Sequence, residues 1–297
     1  MSVASERCSV ASEQRGEPLA GTASTVRAWL LLEHPGPWGR DAFVDARHET
    51  AGFGPALGRR CREAGVRPLL IRRVGRTEPL ARPSCFAVAS HAARVERTVL
   101  GSYDEALDLD LDALGRGEPL GLESHPGTLF LVCTHGRHDV CCAERGRPIA
   151  SALAAALPEQ TWEASHIGGD RFAGNVLALP HGFYFGRVGA ADAEVAMAYL
   201  GGRLSLGHLR GRSTQPMPVQ FAEHALRVEL GLDELDDVGV EGVTRLGGDL
   251  LRVSFRTPRG AFVVTVSVGT SAPHQLTCRS DHAEEAPSYR VTAIEPS

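Results

Sequence analysis

The first sustained apolar run in the chain is Ala28-Trp29-Leu30-Leu31-Leu32, broken by His34-Pro35-Gly36-Pro37. That pattern suits a buried strand ending in a loop. Ahead of it, residues 1–24 are rich in Ser, Glu, Gly and Ala without periodicity and are expected to form a disordered tail. The pattern then predicts a helix over 56–64 and strands over 67–73 and 85–91. Ser102 with Glu105 three residues on has the form of a capping box and predicts a helix toward Leu114. Residues 115–126, rich in Gly, Pro and Glu, read as a linker.

The middle of the chain repeats this grammar. Residues 127–133 are strand-like, 148–157 predict an Ala-rich helix and 161–166 another strand. Residues 175–179 and 183–188 flank the turn Pro180-His181-Gly182 as a hairpin before a helix over 190–200. The order is β-α-β-β-β-α, and the likeness of residues 30–34 to 129–135 hints at an internal duplication whose second copy alone carries metal-type side chains. After Pro216 and Pro218, a helix over 219–230 is expected to stop at Gly231. Beyond it, Leu251, Val253 and Phe255, and then Phe262, Val264, Val266 and Val268, alternate with other residues about Pro258-Arg259-Gly260. These form a hairpin with one buried face.

The length of 297 residues allows about two domains, and 43% hydrophobic with 23% charged residues is ordinary globular composition. No apolar stretch approaches the roughly 20 residues a membrane helix needs, and residues 1–19 lack the apolar run of a secretory signal. A cytoplasmic protein with no membrane partner is expected. A net charge of −5 makes nucleic acid an unexpected partner as well. All 31 basic residues are Arg, which excludes a Gly-Lys-Ser/Thr phosphate loop, a Schiff-base lysine and a kinase-type nucleotide lysine. Seven Cys, an odd number without a signal, argue against a disulfide framework.

The chemistry is concentrated in Cys133-Thr134-His135-Gly136-Arg137-His138-Asp139-Val140-Cys141-Cys142 and in His166-Ile167-Gly168-Gly169-Asp170-Arg171-Phe172. Both follow expected strands, whose ends are where ligand groups converge in α/β arrangements. The spacing is not that of paired Cys-x2-Cys zinc ligands. Cys8, Cys61, Cys85 and Cys278, taken one at a time, read as small core or surface residues. Adjacent Cys141 and Cys142 could be a thiol redox pair, although neighbours cannot form a relaxed disulfide.

These residues closely resemble the sucrase/ferredoxin-like family of thioredoxin-like 2Fe-2S ferredoxins. The first part of its pattern is matched by Cys133-Thr134-His135-Gly136, Asp139 and Cys142. His166, Gly168, Gly169, Phe172, Ala173 and Asn175 match the second, and Pro180, Gly182, Gly186 and Arg187 the third. The resemblance covers roughly residues 27–215. It implies an α/β, thioredoxin-like fold over 25–216, with the cluster half at about 126–212; the repeated pattern suggests two related halves there, and the helix and hairpin beyond its motifs read as a small α+β unit over 217–297. It also implies a 2Fe-2S cofactor, electron transfer and a redox partner protein, either a reductase or an electron acceptor, with a possible role as a reductase component.

In the family the cluster is held by the two motif cysteines and by two histidines spaced His-x-x-x-His. Here Asp170 stands where the second histidine is expected. The implied metal ligands are therefore Cys133, Cys142, His166 and, as the favoured fourth, Asp170. Cys141 or His135 could take that place instead, or the cluster could be absent. His135 is read as supporting the ligands, the backbone of Gly168 and Gly169 as approaching the sulfides, and Arg171 as pairing with Asp170 or offsetting cluster charge. Two competing readings remain open at this point: a thiol-redox or structural zinc protein, and a metal-free interaction module.

Overall fold

Ten strands form one large sheet and four more form a second, small antiparallel sheet. The computed structural model describes residues 6–48, 50–78 and 80–297. In chain order its elements begin with α1 (Cys8–Gln14), β1 (Ala28–Glu33), α2 (Ala42–Asp45), α3 (Phe53–Glu63), β2 (Val66–Arg72), β3 (Ser84–Ala89) and β4 (Arg94–Val99). There follow α4 (Leu111–Arg116), β5 (Glu123–Ser124), β6 (Leu129–Cys133), α5 (Val140–Ala156), β7 (Thr161–Ala164), β8 (Val176–Leu179) and β9 (Phe183–Phe185). The chain closes with α6 (Glu194–Leu200), β10 (Leu209–Arg212), α7 (Met217–Leu230), β11 (Gly239–Gly247), β12 (Leu250–Thr257), β13 (Gly260–Thr270) and β14 (Pro287–Pro296).

The large sheet runs β10-β9-β8-β6-β7-β2-β1-β3-β4-β5. Within it two four-strand runs have the same order and directions. In β2-β1-β3-β4 the first pair is parallel and the other two antiparallel, and β7-β6-β8-β9 repeats this. They meet at an antiparallel seam of two register pairs, Ile71 with Ala164 and Arg72 with Glu163.

The continuous apolar runs of β1 and β6 follow from burial on both faces, since successive side chains of a strand point to opposite sides. Trp29 and Leu31 enter one apolar cluster, which spans both runs and also takes in Leu131, Cys133 and Cys142. Leu30 and Leu32 face the other way, against Leu57 of α3 and Leu111 of α4. Phe130 and Val132 face Ile149 and Leu153 of α5. In the last unit α7 lies on the small sheet, and Val219 and Leu226 pack with Val253, Phe255, Val264 and Val266. The hairpin expected from alternation is β12–β13, and the largely exposed β11 and β14 flank it. Among the described residues, no helix is long and apolar enough to cross a membrane.

Three expectations need correction. The stretch read as a disordered tail is ordered from residue 6 onward: α1 buries Cys8, Ser9 and Ser12, and Ala23 is fully buried. Its contacts come from distant residues and many are polar, so no local periodicity betrays them. Gln220 bonds both Ala23 N–H and Ala23 C=O, Arg187 bonds Ser12 and the Glu17 carbonyl, and Arg171 pairs with Glu17. The capping box at Ser102 does not form, because the Glu105 carboxylate accepts from Gly101 N–H instead. A 3-10 turn over Tyr103–Leu107 follows, and α4 starts afresh with Asp110 as its cap. Finally, α5 begins at Val140, not 148, with Pro148 in its interior. Asp139 caps it by accepting from Cys141 N–H at 2.9 Å.

Candidate metal centre

Strands β6 and β7 are parallel neighbours, with Cys133 in register with Ala164. Their carboxyl ends therefore release two loops side by side, one leading to α5 and the other to His166. Cys133 ends β6 and Cys142 lies in the first turn of α5. The close approach of α5 to β6 depends on Gly146, where a Cβ would come within 2.0 Å of the Cys133 carbonyl oxygen.

One donor atom from each of Cys133, Cys142 and His166 lies within 4.8 Å of the others, and so do those of His138, His166 and Asp170. His166 belongs to both groups. Its Nδ1 is 3.0 Å from Asp170 Oδ1 and 3.9 Å from Cys142 Sγ, and the Cys142 thiol donates to Asp170 Oδ1 at 3.2 Å. Both cysteines and Asp170 are buried, while the His166 side chain keeps 20% of its surface exposed.

The charges support one another. A hydrogen bond from Cys142 holds the Cys133 thiol well below the usual thiol range, and the same bond with burial pushes Cys142 up. Burial works against a charged imidazole at His166, but the bonds to Asp170 and Cys133 prevail and raise it to about 9. Burial likewise works against the Asp170 carboxylate, and His166 outweighs it and lowers that group. Cys133 and Asp170 are thus held in their deprotonated forms, whereas Cys142 and His166 keep protons that a bound metal would displace. The buried Cys/Asp/His group can hold a metal ion.

The supporting residues fall out differently from one another. His135 Nδ1 accepts from His166 N–H at 3.2 Å and its Nε2 faces the Gly39 carbonyl at 2.9 Å, which sets its tautomer and anchors the His166 backbone. Gly168 and Gly169 have φ of +104° and +82°, and a Cβ on them would come within 2.4 Å of Ser24 Oγ and 2.3 Å of Arg210 Nη2. Packing against Ser24 and Arg210 therefore already requires glycine here, whatever else the turn does. Arg171 does not pair with Asp170; its Nε is 2.6 Å from Glu17 Oε1. The cation beneath the turn is Arg210, fully buried, whose Nη1 donates to Gly168 C=O at 2.9 Å and to Asn175 Oδ1 at 2.8 Å. Burial lowers it to about 10, so it keeps its charge, and Asp170 and Cys133 act to retain it.

His138 joins this group as well. Its ring stacks on His166 with centroids 3.8 Å apart and planes 16° off parallel, which makes it a further donor at the same edge. Both imidazoles open onto a cleft of about 400 Å³ lined also by Arg40, Phe43 and Arg279.

The family model for sucrase/ferredoxin-like proteins matches residues 19–211. The chain belongs to the sucrase/ferredoxin-like family. No match was found among curated proteins or among solved structures. In this sucrase/ferredoxin-like chain the matched span takes in both four-strand runs and the whole Cys133/Cys142/His166/Asp170 group. It leaves out α1, α7 and the small sheet.

Proposed function

We propose that this protein is a thioredoxin-like 2Fe-2S ferredoxin that carries single electrons between redox partner proteins in the cytoplasm. The observation that carries the reading is the pair of overlapping donor groups joined at His166. Two bridged irons need two protein ligands each, and the donors divide that way. Cys133 and Cys142 would serve one iron, and His166 with Asp170 the other, with His138 in reach of the same edge. A 2Fe-2S cluster accepts and returns one electron at a time. With two thiolates, one neutral imidazole and one carboxylate, the oxidised site carries one negative charge, less than an all-cysteine site and more than a two-histidine one. Its potential should fall between theirs.

The chain's own residues do the rest. β6, α5 and β7 hold the thiols away from water, His135 fixes the His166 backbone, and Arg210 supplies a fixed positive charge below the turn. The imidazole edge at the cleft is the natural exit for an electron. Exposed Arg40, Arg137, Arg147 and Arg279 line this cleft and the one beside it, so a partner with carboxylates at its docking face is favoured. The matching order of the two four-strand runs supports two thioredoxin-like halves within 25–216, of which only the second bears this donor set.

The same donors lie close enough together to bind a single ion, so a structural zinc at this site is the competing reading. Anaerobic purification discriminates the two. We expect red-brown protein with about two irons and two inorganic sulfides per chain. Colourless protein whose only metal here is zinc, lost on Cys133→Ser, overturns the proposal.

A further inference from the structure

On the opposite side of the first turn of α5, three more thiols meet. Cys141 Sγ is 3.6 Å from Cys8 Sγ and 3.3 Å from Cys278 Sγ, and Asp139 Oδ2 is 3.9 Å from Cys8 Sγ. All four donor atoms lie within 4.8 Å of one another. They come from α1, from the start of α5 and from the connection between β13 and β14. Cys8 and Cys278 both lie outside the span matched by the family model.

Packing alone does not account for this arrangement. The local apolar cluster consists of Cys8, Cys141 and Ala173, with Cys278 at its edge, and holds no branched or aromatic side chain. Yet it secures α1, a seven-residue helix with no side-chain cap, and a long connection with few apolar anchors. A helix that short does not hold itself. Sulfurs bound at about 2.3 Å to one tetrahedral ion stand about 3.8 Å apart, close to the spacing here. A disulfide between any two would leave the third thiol and the carboxylate stranded beside it.

The surroundings are those of a metal-thiolate site. Ser9 Oγ donates to Cys141 Sγ at 3.4 Å and Cys8 N–H to Cys278 Sγ at 3.3 Å. The Asp139 carboxylate is held by N–H groups of Cys141 at 2.9 Å and Cys278 at 2.7 Å.

We propose that Cys8, Cys141, Cys278 and Asp139 form a closed, structural site for one zinc(II) ion, which clamps the N-terminal helix, α5 and the C-terminal connection together. Three soft thiolates with one hard oxygen select zinc over magnesium or calcium, and four protein donors leave no open position for a substrate.

The test uses the full chain. In the Cys133→Ser background, which removes the first centre, we expect about one zinc per chain after purification. Cobalt(II) added to the stripped protein should give the intense visible bands of a tetrahedral thiolate complex. Adding Cys278→Ser or Cys8→Ser should lower zinc content and cobalt absorption at least about tenfold. Alkylation of the otherwise unaltered chain needs no folded variant: half-buried Cys278 should resist the reagent until a chelator is added. Zinc content unaffected by both substitutions, or Cys278 reacting equally with and without chelator, overturns the site. So does an intact mass two daltons low, which would place two of these thiols in a disulfide.

Discussion

The two thiol clusters at the α5 start both pair thiols with a carboxylate, but they differ in where their donors come from and in whether imidazoles join them. Cys142 faces inward to partners that all come from one β-α-β passage, between Cys133 and Asp170, and its cluster includes imidazoles that reach a cleft. Cys141, the next residue along, faces partners at positions 8 and 278, with no imidazole among the donors. In an α-helix adjacent side chains point about 100° apart, so neighbouring cysteines reach separate donor groups. On the proposed reading, the first centre would exchange electrons through imidazoles that reach a cleft, and the second would be purely structural. Both hold buried thiols and a carboxylate, and the histidines at the cleft belong to the first alone.

The sharpest way to break this comparison is Arg210→Ala. It strips donors from the carbonyls of Gly168 and Thr22 and from Asn175, and it empties a buried volume. We expect a loss of at least about 3 kcal/mol in urea unfolding, with iron lost and zinc kept. Retention of both metals at unchanged stability would sever Arg210 from the first centre. Next come the adjacent cysteines. Cys142→Ser should reduce iron at least about tenfold while sparing zinc, and Cys141→Ser should do the converse, measured by elemental analysis. Equal loss of both metals in both variants would mean the clusters are one site.

How much of this was legible follows the same divide. Cys133, Cys142, His166 and Asp170 can be read as a group because they sit in two short motifs at the ends of adjacent strands, and the structure places them together. Arg210 and His138 were not singled out. A buried arginine leaves no local pattern, and a histidine in a polar loop looks like any other. Cys8 and Cys278 each read as inert when taken alone, because only tertiary contact across most of the chain brings them together. The strands with strict patterning, β1, β6, β12 and β13, were evident from apolar runs or alternation. Strands β4, β11 and β14, with mixed or largely exposed faces, were not, nor was the buried β10, whose Arg210 and Gly211 break any apolar run.

A smaller effect is expected from Asp139→Asn, which keeps an N-cap but removes the charge. Zinc affinity should weaken by about tenfold in a chelator competition, with iron content held within about twofold. The mildest is Asp170→His. Replacing a carboxylate by a neutral ring removes one negative charge from the first centre, so a redox titration should show a higher potential at similar iron content. An unchanged spectrum and potential in this variant, and in Asp170→Ala, would remove Asp170 from the ligand set and leave His138 as the nearest alternative.

The reach of the connection between β13 and β14 back to Asp139 has a further consequence for how the molecule is made. During synthesis the amino end folds first. All the inward-facing donors, up to Asp170, leave the ribosome roughly a hundred residues ahead of Cys278. Until then Cys278 N–H cannot bond Asp139 and α1 has no thiol from the far end to meet. The nascent chain therefore passes through a period in which its first pocket is formed but its amino-terminal helix is not yet latched. Arrival of the β13–β14 connection supplies the group that meets both α1 and the start of α5.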